Sequence, residues 1–398
     1  MTRPQVVWLA GMRWDGQEGT EVRLARALGR HVDVLWFDPV ASWVASRRGI
    51  RAAPGRTTVA PGVTRVATVG FPGVTRPGLS VVAQRRLWAE VSASLRGTGR
   101  PASAVLLSDP TGGFPRGLDV PRVLFVTDDW PAGARMMGVP SRHLERHEHR
   151  NATRATAVTA VSPELARTLA ARTGVDVTVV ANGCEPHPQT VEAVSLEAPA
   201  PRAGLMGTIN ERLDLDILEA VADRSVKLVL VGPLTARSAE FRSRFEALVA
   251  RPNVWWEGAC AAAEVPAHLA AMSVGLTPYA DNPFNRGSFP LKTLEYLAAG
   301  LSVVSTTLPA NAWLGTDLVQ EAATPDAFAD AVARSLARHT DDTDADRRRR
   351  FAHGHTWDAR AVELLRLIGL PTSDQPATAQ TAPDQTAPAQ TAPAESGA

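Results

Sequence analysis

The chain has 398 residues, 44% hydrophobic and 21% charged, the make-up of a globular protein of two or three domains. Its 42 basic and 41 acidic residues leave a net charge of +1, which excludes a strongly basic nucleic-acid binder. The two cysteines, Cys184 and Cys260, exclude a disulfide framework, and their spacing fits no zinc motif.

The first ten residues carry one Arg and a short apolar run, without the length or cleavage pattern of a signal peptide. No run approaches about 18 apolar residues. A cytoplasmic protein without membrane spans is expected, in contact at most with the inner face of a membrane. Residues 6–10 read as a buried strand, 21–28 as a helix, 32–37 as a strand and 79–95 as a helix. Strands follow at 104–107 and 123–126, then a helix at 141–153 and a strand at 157–161. Ser162 as N-cap and Pro163 at the first helical position announce a helix over 163–172, with a strand at 177–180 after it. Unbroken apolar strands alternating with helices predict a parallel α/β sheet.

Residues 183–202 are Pro-rich and weakly periodic and break this pattern. A second series then predicts strands at 204–209, 227–231, 254–257, 274–277 and 302–305. Its helices fall at 214–222, 238–250, 264–272, 290–299 and 325–338, with Asp214 as an N-cap. Residues 341–350, an acidic run before four arginines, read as a solvated loop entering a helix, with a phosphate or membrane-surface patch as the alternative, and a last helix covers 357–367. The expected division is a first domain at 1–185, a linker at 186–202, a second domain at 203–345 and a closing helix at 346–370. The Pro, Thr, Ala and Gln tail at 371–398 is expected to be disordered. Two doubly wound halves place a crevice at the carboxyl ends of their strands.

The most informative stretch is 282–306, NPFNRGSFPLKTLEYLAAGLSVVST. A loop enters a helix near Ser288 or Phe289, Pro290 suits its first turn, and Gly300 suits its end. Lys292 and Glu295 share one face. Lys near a helix start opposes the dipole, so local stability explains it poorly, whereas a bound anion explains it well. Glu295, one turn deeper, is placed to accept hydroxyl hydrogen bonds from a ribose. A solvated Lys–Glu pair is the alternative.

PLKTLEYLAAGLSVVST resembles the nucleotide-sugar site of two-domain GT-B glycosyltransferases of the retaining family 4 kind. GTINERLDLD at 207–216 and VTDDW at 126–130 resemble segments of teichuronic-acid-type members. ANGCE at 181–185 and GHTWD at 354–358 resemble two further family landmarks, in the right order. The resemblance implies an α/β fold of two facing Rossmann-like domains with parallel sheets. It implies transfer of a hexose-type sugar from a nucleotide diphosphate to an acceptor hydroxyl, with retention and without a metal or other cofactor. The acceptor is expected to be a glycan, a lipid-linked molecule or a small metabolite, in polysaccharide, glycolipid or metabolite glycosylation.

Glu295 matches the second Glu of the family's E-x7-E motif, which holds the ribose. Gly287 stands where the first Glu belongs. Arg212 and Lys292 are the expected diphosphate cations, with Asn210, Ser288 and Phe289 beside them. Asn210 as a turn-former and Arg212 as an exposed loop residue are the alternatives. Asp128 and Asp129 end a strand at the crevice, as catalytic or hydroxyl-holding carboxylates or as loop caps. Trp14, Asp15 and Gly16 resemble the family's loop near phosphates and acceptor. His143 and His147 lack a third metal ligand, and Ser108–Asp109 lacks a histidine for a triad. Two rival functions are a nucleotide-sugar epimerase and a non-catalytic protein of the same fold that binds a partner or glycan.

Overall fold

The computed structural model describes residues 3–16, 18–43, 55–70, 79–187, 192–196, 200–289, 291–339 and 343–372. Of the tail at 371–398, all but the first two residues lie outside the described residues, as do Pro290 and parts of the linker at 186–202.

Among the described residues, the first half forms ten strands: β1 (Gln5–Leu9), β2 (Asp33–Phe37), β3 (Ala41–Ser42), β4 (Gly55–Ala60), β5 (Val63–Ala67), β6 (Val69–Gly70), β7 (Ala104–Leu107), β8 (Arg122–Val126), β9 (Ala157–Ala160) and β10 (Thr178–Val179). Eight of them build a sheet in the order β10-β9-β8-β7-β1-β2-β5-β4, and β3 and β6 pair separately. All neighbours in the large sheet run parallel except β4 and β5. β1 and β7 are buried along their whole length, because helices cover both faces.

The second half adds β11 (Ala203–Met206), β12 (Leu228–Val231), β13 (Val254–Gly258), β14 (Val274–Thr277), β15 (Ser302–Thr306) and β16 (Val319–Ala322). They form a six-stranded parallel sheet in the order β13-β12-β11-β14-β15-β16. The strand order reverses between β1 and β7 in one sheet and between β11 and β14 in the other. Ligands of such sheets sit outside the strand ends at those reversals. The architecture is GT-B, as the sequence resemblance implies.

The chain passes between the halves twice. Cys184 donates its N–H to the His355 carbonyl at 2.8 Å and accepts from the Trp357 N–H at 3.3 Å, so the outgoing and returning segments run side by side. The helix Trp357–Leu367, capped by Thr356, then packs on the helix Thr20–His31 of the first half. Arg30 donates to Asp358 at 3.2 Å across that contact.

The four-arginine run lies within the helix that this segment is expected to enter, Ala345–His353. It packs on the helix Leu291–Ala299. The buried Arg348 donates to the Gly300 carbonyl at 3.0 Å, a cation at a helix C-terminus. Among the described residues, no helix is long and apolar enough to cross a membrane.

Candidate active site

A cavity of about 570 Å³ lies between the two halves, walled by residues that follow β1, β7, β8, β11 and β14. It therefore opens at both strand-order reversals at once.

On the second-half side, the helix Leu291–Ala299 starts at this cavity with Lys292 in its wall. The Tyr296 hydroxyl accepts the Met206 N–H at 2.8 Å and ties the helix beneath the end of β11. Gly300, at φ +83°, ends it in the left-handed conformation that glycine tolerates best. Lys292 Nζ donates to Glu295 Oε2 at 2.7 Å. The other oxygen of Glu295 accepts from Arg23, which comes from the helix Thr20–His31 of the opposite half. Burial pushes the Glu295 carboxyl up, but the Lys292 and Arg23 cations outweigh this and leave it lowered to about 2. Glu295 faces a smaller cavity of about 140 Å³, shared with Arg23, Glu185 and Ala262.

Arg212 is clamped. Its Nε donates to Asn285 Oδ1 at 3.0 Å and its terminal nitrogen to Ser288 Oγ at 3.1 Å. Its guanidinium lies 5.2 Å from the Tyr279 ring centre and 5.0 Å from that of Phe284. The buried Asn285 is fixed in turn, donating to the carbonyls of Arg212 and Ala280. Ser288 is buried and donates to the Phe284 carbonyl at 2.9 Å. The Phe289 carbonyl accepts from Asn182 of the first half at 3.0 Å. Asn210 lines the cavity while its side chain accepts the Arg212 N–H at 3.1 Å, so it is both wall and turn-former. The structure thus gathers Asn210, Arg212, Ser288, Phe289 and Lys292 at one mouth, with Glu295 just behind.

The two neighbouring aspartates separate. Asp128 lines the cavity; burial pushes its carboxyl up, with the Arg212 cation opposing. Asp129 is the correction. It accepts both bonds of the Arg172 guanidinium nitrogen, at 2.9 and 3.1 Å, in a buried network with Glu148. Adjacent residues at a strand end point to opposite sides, so only one of the pair reaches the crevice.

The loop after β1 is a second correction. Trp14 packs edge-on against Trp36 at 5.2 Å, and Asp15 pairs with Arg13 and Arg65. Gly16 donates its N–H to the Arg13 carbonyl in a turn. None of the three lines the large cavity; Gly11, Met12, Gly19 and Thr20 do. The helical turn holding Thr20 and Glu21 carries the backbone toward the crevice and leaves the intervening loop on the sheet.

Four contributors escape sequence reasoning: Glu21, Arg23, Asn182 and Asn285. Glu21 is buried at the cavity and accepts the Gly11 N–H at 3.0 Å. Burial pushes its carboxyl up to about 8 against hydrogen bonds from Ser108 and Gly11. Gly287 is buried, its carbonyl accepting from Ser162 at 2.7 Å. A Cβ there would touch Asp129 at 3.5 Å and Leu165 at 3.7 Å, so the first half closes over this position.

Residues 201–338 match the family of glycosyl transferases described as group 1. The chain is 30% identical over 172 residues to the putative teichuronic acid biosynthesis glycosyltransferase TuaH of Bacillus subtilis (strain 168). That match covers 42% of this chain and 43% of the relative, so it spans less than half of the relative's length. The fold superposes on sucrose-phosphate synthase from Thermosynechococcus elongatus with a TM-score of 0.71 at 16% identity, covering 92% of this chain and 98% of that one. It superposes on Anabaena HepE in complex with UDP and glucose with a TM-score of 0.63 at 15% identity, covering 92% and 100%.

Proposed function

From a GT-B chain whose residues 201–338 match the group 1 glycosyl transferases, we propose that it transfers a sugar from a nucleotide diphosphate to an acceptor hydroxyl. The observation that carries this reading is the joint placement of Lys292, the clamped Arg212 and a helix start at one cavity, with an ionised Glu295 one turn below.

The chemistry follows from the charges. As the bond from the sugar's anomeric carbon to the phosphate oxygen breaks, the leaving diphosphate gains negative charge. Arg212, Lys292 and the helix dipole stabilise it where it develops, so this step needs no metal. Glu295 holds the ribose hydroxyls. Asp128 positions an acceptor hydroxyl or the donor sugar from the opposite wall. In a retaining transfer the acceptor attacks from the face the phosphate leaves, and its proton passes to the departing phosphate oxygen. The B. subtilis relative supports a role in surface-polysaccharide synthesis, and a hexose donor is the first class to test.

The test is a thermal-shift screen of UDP, GDP, ADP, TDP and CMP against wild type and Glu295→Ala. Ligand binding to the native state raises Tm by mass action. A diphosphate that stabilises wild type but not the variant is the expected result. Anomeric NMR of the product then reads retention against inversion. Gly287 in place of the first Glu favours one rival, a non-catalytic binding protein, and absence of any shift at millimolar nucleotide selects it.

A further inference from the structure

The loop after β13 carries a second cluster, apart from the phosphate cations. Cys260 follows the strand, Glu264 ends the 3-10 turn Ala262–Glu264, and His268 lies in the helical turn Val265–Ala270. Glu264 and His268 stand four apart along the helical stretch, and the extended segment before Ala261 brings Cys260 beside them. One ligand atom from each, a sulfur, a carboxylate oxygen and a ring nitrogen, lie within 4.8 Å of one another. We infer that Cys260, Glu264 and His268 bind a zinc-class transition metal ion.

A second, independent observation points the same way. His268 is 9% exposed, and its Nδ1 has no hydrogen-bond partner among the described residues. A buried imidazole nitrogen without a partner is available to a ligand, and a metal ion is the ligand that suits it. Glu264 Oε2 accepts the Ala261 N–H at 2.8 Å, which orients the carboxylate and leaves its other oxygen for the ion. Ligand atoms around tetrahedral zinc stand roughly 3.3–3.8 Å apart, given bonds of about 2.0–2.3 Å. Closing the cluster onto an ion therefore takes about 1 Å of side-chain movement, which the exposed Glu264 and half-buried Cys260 can supply. Thiolate with imidazole selects zinc, cobalt or a neighbour over magnesium or calcium, and three protein ligands leave a fourth place for water.

The ion takes no part in the transfer step. It pins the segment in which Ala262, Val265 and Pro266 wall the small cavity that Glu295 faces.

The experiment uses the full chain, stripped with a chelator and titrated with Zn²⁺ or Co²⁺ alone. One equivalent should bind, Zn²⁺ should raise Tm, and Co²⁺ should give the near-ultraviolet thiolate-to-cobalt absorption. Cys260→Ser should abolish that absorption, Cys184→Ala should keep it, and Glu264→Ala and His268→Gln should weaken binding at least tenfold. Circular dichroism of the metal-free variants checks that they fold; Glu264 is exposed, so its variant keeps the test decisive if His268→Gln misfolds. Absence of the absorption in wild type, or binding unchanged in Cys260→Ser and Glu264→Ala, overturns the assignment.

Discussion

At the scale of single residues, the site is a set of charges whose partners decide their roles. Asp128 and Asp129 are neighbours in sequence, but only Asp129 is bound by Arg172. Asp129→Asn should lower stability by roughly 1–3 kcal/mol and leave kcat/KM of the folded enzyme unchanged. Asp128→Asn should leave Tm near wild type and cut kcat/KM at least tenfold, about 1.4 kcal/mol of transition-state stabilisation. Glu21 supplies a pH signature. Its folded carboxyl is raised to about 8 from an ordinary 4.5, so its contribution to stability is full below about 4.5 and is lost as pH rises through 8. Glu21→Gln should remove that slope, and Tm of variant and wild type followed from pH 4.5 to pH 8 measures it. Glu295 acts in the opposite direction: lowered to about 2, its contribution is held above 4.5 and lost only as acid approaches 2. Lysine occurs only at 227 and 292 in this arginine-rich chain. Lys292 therefore stands out in the sequence, whereas Arg23 does not, because its partner Glu295 is 272 positions away.

At the scale of elements, what was legible followed from local pattern. Ser162 and Pro163 start their helix, Asp214 caps the next, and Gly300 ends the site helix, each by chemistry confined to a few neighbouring residues. The strands at the strand-order reversals were legible because they are unbroken apolar runs. Elements that lack a periodic apolar face were not: β4 is exposed over most of its length, and the turn Pro283–Gly287 is too short to show a period. The latter hides Asn285, whose value lies in clamping Arg212 and which reads in sequence as an ordinary turn residue. Backbone proximity was also invisible. Gly232 has φ +146°, and a Cβ there would stand 1.8 Å from the Gly207 carbonyl oxygen, next to the loop that packs on Lys292. Gly232→Ala should force the ends of β11 and β12 apart. The expected outcome is a loss of about 1–3 kcal/mol in denaturant unfolding together with a raised KM for the donor.

At the scale of the whole molecule, the two halves are joined across the crevice by the Arg23–Glu295 ion pair. If Glu295 holds a ribose, as proposed, that ribose competes with Arg23 and the pair is a latch on the empty site. Arg23→Ala should lower the Tm of the free protein yet tighten the nucleotide diphosphate Kd several-fold by calorimetry; weaker binding would make Arg23 a ligand contact instead. The GT-B plan was readable because its landmarks recur in order, but which loop residues face the crevice was not, since that depends on how one half turns toward the other. The return of the helix Trp357–Leu367 to the first half has a further consequence, for biosynthesis. A chain emerging from the ribosome completes its second sheet before its first lobe receives the helix that covers Thr20–His31. The earlier-made lobe must wait, one apolar face uncovered, until residues 357–367 have emerged, so the order of synthesis and the order of completion are reversed.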